Sequence, residues 1–243
     1  MTDFARTRRF GARAVAVLAL ATLGGTASGV AGQGGVAGQA RDTSVPPGFQ
    51  RVTPGAATPD RDGFLRRWLL LEPIDKPNRS NTGFTATYVR QALTTPSFPG
   101  QFTAMPRDGQ VVQAAQSLRW HALDSTAFDV KLFDFAKGLG KPTYGVIFWA
   151  VTVVDSPREM RDVRMAVGSN SASIWWLNGK ETVGLFNDRR MVMDDVLSDR
   201  VTLRKGRNVI RGAVINGPGL SDFCVRFLDA NGRPITEVKT DVR

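Results

Sequence analysis

The chain has 243 residues, 42% of them hydrophobic and 22% charged, a globular composition that excludes a disordered or collagen-like chain. Its formal charge is +10, but the basic residues are scattered. The closest groupings, Arg66-Arg67, Arg189-Arg190 and Arg204-Lys205-Arg207, are too short for a nucleic-acid-binding arm, so nucleic acid is not an expected partner.

Residues 1–40 read as an address. Arg6, Arg8, Arg9 and Arg13 precede an uncharged stretch from Ala14 to Leu23, and small residues follow to Ala40. Basic, apolar, then small is the order of a secretory signal peptide. The apolar part is too short for a membrane span, so the chain is expected to be exported, to the periplasm or beyond, and not to remain an integral membrane protein after cleavage. Cleavage is open among Ala31, Ala37 and Ala40. Arg8-Arg9 is similar to a twin-arginine signal, although Phe10 follows the pair directly. Residues 41–62 carry Pro46, Pro47, Pro54, Pro59, Gly48 and Gly55 without apolar periodicity, which predicts a Pro/Gly-rich linker. The folded domain is then expected over 63–243.

Beyond residue 63, period-2 patterns and turn signals dominate. Strands are predicted at Phe64–Leu71, Tyr144–Val154, Asp162–Gly168, Ser173–Leu177, Glu181–Phe186, Arg200–Leu203, Arg207–Asn216 and Phe223–Leu228. Asn178-Gly179 is a two-residue hairpin signal. Short helices are predicted within Thr85–Leu93 and Leu132–Lys137. With no alternation of strand and helix, a doubly wound parallel sheet is excluded in favour of an all-β antiparallel β-sandwich or jelly roll. Tyr144–Val154 is apolar on both faces, so it is expected to be central, with its outer face either covered, the otherwise unplaced segment 72–125 being the candidate, or serving as a binding surface. The one cysteine, Cys224, lies in the apolar run Phe223-Cys224-Val225 and reads as core. Without a second cysteine there is no intramolecular disulfide, and the core alone must hold the domain.

Three stretches carry a family likeness: Ser173-Ile-Trp-Trp-Leu-Asn-Gly-Lys180, Val201-Thr-Leu-Arg-Lys-Gly-Arg-Asn-Val-Ile210 and Phe223-Cys-Val-Arg-Phe-Leu-Asp-Ala-Asn-Gly-Arg-Pro-Ile235. Together with Gly63–Pro73 they resemble the galactose-binding-like β-sandwich of secreted bacterial carbohydrate-active proteins. They are also similar to small secreted proteins sometimes labelled acetylxylan esterases. The resemblance implies a carbohydrate-binding or accessory domain, with a carbohydrate esterase as the alternative and a structural sandwich that packs on another protein as a third reading. It departs at Gly217-Pro-Gly-Leu-Ser-Asp222, where relatives often carry a Trp.

A serine hydrolase needs a nucleophile, a base and an orienting acid. The sole histidine, His121, is the weak candidate for a base, and no Gly-x-Ser-x-Gly elbow exists. One His and one Cys cannot build a zinc site. Oxygen donors for a structural calcium exist at Asp194-Asp195 with Asp199, and at Asn187-Asp188. No catalytic centre or organic cofactor is therefore expected. For sugar binding, aromatic faces beside polar groups are the relevant signal. Trp175 and Trp176 must point to opposite faces of their strand. By the family pattern Trp176 packs and Trp175 faces outward. Trp175, with Asp188, Arg189 and Arg190 of the following loop, forms the expected ligand-binding set.

Overall fold

The computed structural model describes residues 45–78 and 80–243; the expected signal segment and residues 41–44 lie outside the described residues. In chain order the strands begin with β1 (Phe49–Arg51), β2 (Arg67–Leu71), β3 (Ile74–Asp75), β4 (Val111–Gln113), β5 (Ser117–Ser125), β6 (Val146–Ser156) and β7 (Met160–Asn170). They continue with β8 (Ala172–Leu177), β9 (Lys180–Leu185), β10 (Val196–Leu197), β11 (Val201–Leu203), β12 (Gly206–Asn216), β13 (Asp222–Leu228) and β14 (Lys239–Asp241). The helices are α1 (Ala86–Thr94) and α2 (Leu132–Gly138).

The uncharged run of the sequence becomes the middle of the larger sheet. That sheet runs β1-β5-β2-β6-β12-β8-β9, with β3 and β14 also on β6 and β4 on β5. β6 and β12 pair antiparallel along their full eleven residues, from Gly206 opposite Ser156 to Asn216 opposite Val146. The second sheet is built on β7, flanked by β10, β11 and β13. The architecture is an all-β antiparallel sandwich.

The alternation of side chains across each strand sorts the apolar residues into two cores. Val146, Phe148, Ala150 and Val154 of β6 face the second sheet, where Val163, Met165 and Val167 of β7 meet Phe223, Val225 and Phe227 of β13. Ile147, Trp149 and Val151 face the other way. That outer face is covered, not left as a binding surface, by Phe84, Val89, Leu93, Phe98 and Trp120 from within 72–125. α1 forms there because Thr85 caps it, its hydroxyl accepting from the Tyr88 amide at 3.3 Å, and because Val89, Ala92 and Leu93 fall on one face.

The β8–β9 hairpin closes through Asn178 and Gly179, with φ of 53° and 84°, the pair of left-handed residues that a two-residue turn matched to strand twist demands. At the other end of the chain order, the expected linker is partly structural. Phe49 is buried in the inter-sheet core, β1 pairs with β5, and Ala57 bridges Thr240. The folded unit therefore begins before Gly63. Proline and glycine there mark turns between short pairings, not a free spacer. Among the described residues no helix is long and apolar enough to cross a membrane.

Candidate functional site

One end of the sandwich collects loops whose polar side chains are buried but not matched. β6 begins at Val146 opposite the last residue of β12, Asn216. β12 runs beside the start of β8, and β7 ends at Asn170 opposite Asp222, the first residue of β13. The segments 129–133, 139–145, 186–195 and 217–221 therefore emerge together. Side-chain and backbone bonds stitch them. The Asn216 amide donates to the carbonyls of Thr143 at 2.9 Å and Gly219 at 3.3 Å. The Phe133 amide donates to the Ser221 carbonyl at 3.0 Å. The Asn81 amide donates to Asp188 at 2.9 Å and to the Pro218 carbonyl at 3.0 Å.

Among the described residues, the buried side-chain oxygens without a hydrogen-bond partner are Asn81 Oδ1, Asn216 Oδ1, Ser221 Oγ and Asp222 Oδ1. All four belong to this end. Buried polar atoms are nearly always satisfied, and each exception asks for an explanation such as a bound group. Asp222 keeps one oxygen, Oδ2, 3.1 Å from Lys131 Nζ, which also lies 2.5 Å from Asp129. Burial pushes the Asp222 carboxyl above its usual value, against the pull of Lys131. Burial alone would lower the Lys131 ammonium, yet Asp129 and Asp222 hold it above its ordinary value.

Apolar surface lies beside these atoms. Tyr144 is 53% exposed and Leu220 59%, and the Tyr144 ring lies 5.8 Å from that of half-buried Phe133. A groove of about 590 Å³ adjoins, lined by Lys76, Tyr88, Gln91 and Ile147 among others. It is tied to the same loops by the Lys76 amide, which donates to the Gly145 carbonyl at 2.7 Å. Aromatic faces next to free acceptors suit a ligand with apolar ring faces and hydroxyl edges.

The sequence-derived site residues are divided by the structure. Trp175 does not face outward. It is fully buried between the sheets, 5.9 Å from Trp68 and 4.8 Å from Phe223, with its indole N–H donating to Ser173 at 3.0 Å. Gly212 stands opposite it, and a side chain there would collide with the indole. Trp176 takes the other face and stacks on Trp149 at 5.6 Å under the cover segment. With both faces of the sheet covered, neither tryptophan is available to a ligand. Asp188, Arg189 and Arg190 do lie at the loop end. Asp188 accepts from Asn81, Arg189 is spent on Asp195, and Arg190 is exposed.

Two of the candidate calcium donors are engaged in ion pairs. Asp194 holds Arg226 and Asp195 holds Arg189, and among the described residues no three His, Cys, Asp or Glu side chains group to hold a metal ion. His121 has an acid neighbour, Glu72 Oε1 at 3.4 Å, and an edge contact with Phe135. Ser125, near it in sequence, gives its hydroxyl to the Asp129 carbonyl. Tyr144, Asn216 and Asp222 escaped the sequence reading. Asn216 and Asp222 bound the polar stretch where the chain departs from the motifs it resembles, while Tyr144 stands apart from it in sequence.

No family model matches the sequence, and no curated protein matches it. The likeness to galactose-binding-like domains therefore rests on the motif residues alone. Among solved structures, a PA14 sugar-binding domain from an RTX adhesin is similar at 10% identity and a TM-score of 0.41, covering 72% of this chain and 96% of that one. The PA14 domain of the MpAFP antifreeze protein is similar at 9% identity and 0.41, covering 79% and 96%. A GH31 α-xylosidase from Xanthomonas citri is similar at 8% identity and 0.31, covering 79% of this chain and 17% of that one. At TM-scores below 0.5 these likenesses assign neither the topology nor the ligand of this chain.

Proposed function

We propose that this chain is an exported, non-catalytic β-sandwich that binds plant or cell-wall polysaccharide at its loop end. The observation that carries the reading is the set of unmatched buried oxygens on Asn216, Ser221 and Asp222 beside the exposed Tyr144 ring. Sugar hydroxyls donate to such acceptors, and a ring face lies on the tyrosine. A carboxylate held in a low-dielectric setting makes the stronger bond to a hydroxyl. The signal-like order of residues 1–40 supports export; N-terminal sequencing of the mature chain tests it, with cleavage after Ala31, Ala37 or Ala40 as the expected result.

Titration with soluble xylan and pectin fragments tests the site. Asp222→Asn is expected to weaken binding about tenfold or more, the worth of one hydrogen bond to a charged group. Tyr144→Ala is expected to cost about tenfold through lost ring contact. Equal affinities in wild type and both variants would remove these residues from the site, and no binding to any polysaccharide would end the reading.

A second reading, a carbohydrate esterase, has one observation in its favour: the Glu72–His121 pair, which has the form of a base with its orienting acid. Release of acetate from acetylated xylan, lost in His121→Ala, would establish it in place of the binding role.

A further inference from the structure

The remaining unmatched buried side-chain atom among the described residues is a donor, Arg66 Nε, and it belongs to a different place. Arg66 precedes β2 at the end opposite the loops. It lines a cavity of about 160 Å³ together with Arg67, Asp124, Gln50, Thr58 and Thr126. The neighbouring guanidinium is largely committed. Arg67 binds Asp124 with both groups in parallel, Nε to Oδ1 and Nη2 to Oδ2, each at 2.8 Å. It also donates to the Gly55 carbonyl and to Thr53. The one carboxylate lining this cavity is paired with Arg67, so the two guanidiniums there outnumber the acids by one. The Thr126 hydroxyl is spent on the Gly48 carbonyl, while Thr58 and Gln50 are exposed at the rim.

We propose that this cavity is a site for one small oxyanion, a carboxylate, sulfate or phosphate group, received by the Arg66 guanidinium with Thr58 and Gln50 as auxiliary donors. The guanidinium fork presents paired N–H groups that match two oxygens of such an anion. The cavity has room for a group of that size. A divalent cation is the wrong partner, because the unmatched atom is a donor and the charge is positive.

Calorimetric titration of the full chain tests this with three probes, sodium sulfate, sodium phosphate and sodium galacturonate, at constant ionic strength against sodium chloride. The expected result is saturable binding at one site for at least one of the three, absent with chloride, and weakened at least tenfold in Arg66→Gln. A response to sulfate or phosphate alone identifies an inorganic or ester-borne anion; a response to galacturonate alone identifies a carboxylate. Thr58→Val, which leaves the strand pairing of β2 and β5 untouched, is expected to weaken the same binding severalfold and keeps the test open if Arg66→Gln does not fold. The absence of saturable binding for all three probes would overturn the proposal. So would affinities unchanged in both variants. Polysaccharide binding at the loop end is measured separately, and its loss or survival does not bear on this site.

Discussion

Trp175 and Trp176 are adjacent in sequence and belong to different cores, and their fates show how a single position is decided. Alternation on a strand requires that they part; which of them is covered depends on what lies on each side of the sheet. Here Gly212 clears space for Trp175, and Phe102 and Trp149 receive Trp176. Trp175→Ala is therefore expected to cost about 3–5 kcal/mol of stability, measured by urea denaturation, while leaving sugar affinity of the folded protein unchanged. An affinity loss without a stability loss would return Trp175 to the binding surface. Cys224 is equally a packing residue: burial pushes its thiol up to about 12, far from the range of a reactive cysteine. The reach of sequence reading at this scale was uneven. The inward set Phe223, Val225 and Phe227 followed from period two, because one face of β13 is simply apolar. Asp222, one residue earlier, carries no such pattern; its importance comes from being buried beside Lys131 with one oxygen unmatched, which only the assembled loops reveal.

At the scale of elements, the two asparagines of the sequence motifs turn out to be one device. Asn208 is buried, and its amide donates to the carbonyls of Arg204 at 2.8 Å and Gly206 at 3.0 Å, closing the turn before β12. Its Oδ1 accepts from the Asn178 amide at 3.0 Å, and Asn178 in turn accepts from the Val209 amide at 2.9 Å. The Asn-Gly hairpin and the Gly-x-Asn turn are thus locked together, which is why both segments were legible locally as turns although their mutual bond was not. Asn208→Ala leaves several of these backbone groups unmatched and is expected to cost about 2–4 kcal/mol, read from the shift in thermal or urea midpoint; a change within 0.5 kcal/mol would contradict the linkage. The junction after β2 makes a pH-dependent contribution. Burial alone would raise the Glu72 carboxyl, but bonds from Lys141, His121 and the Arg119 amide lower it below its ordinary 4.5. A group lowered on folding contributes stability above its unfolded value and loses it as pH falls through the folded one. Stability is therefore expected to drop below about pH 4.5, and Glu72→Gln is expected to be less stable at neutral pH with a shallower acid dependence. An identical slope in both proteins would exclude Glu72 as a source.

The described residues form a sandwich with a third layer, and that layer explains both what the sequence disclosed and what it hid. The doubly apolar strand β6 announced that its outer face is not simply left to water, because an antiparallel sheet facing water alternates. The identity of the cover, α1 with Phe84, Phe98 and Trp120, was legible only as an unplaced segment. Hairpins and turns were readable since they are set by two or three residues. The join of β1 to β5 and of Ala57 to Thr240 was not, since it brings distant segments together by short pairings in a Pro/Gly-rich stretch. The same limit applied to the loop end, where residues from 81 to 222 converge. The most direct measurement of the account is hydrogen exchange of the full chain with and without a bound xylan or pectin fragment. Protection confined to residues 129–133, 140–146 and 216–222 is the expected result. Protection centred on β8 and Trp175, or no change in those loops at saturating ligand, would contradict it.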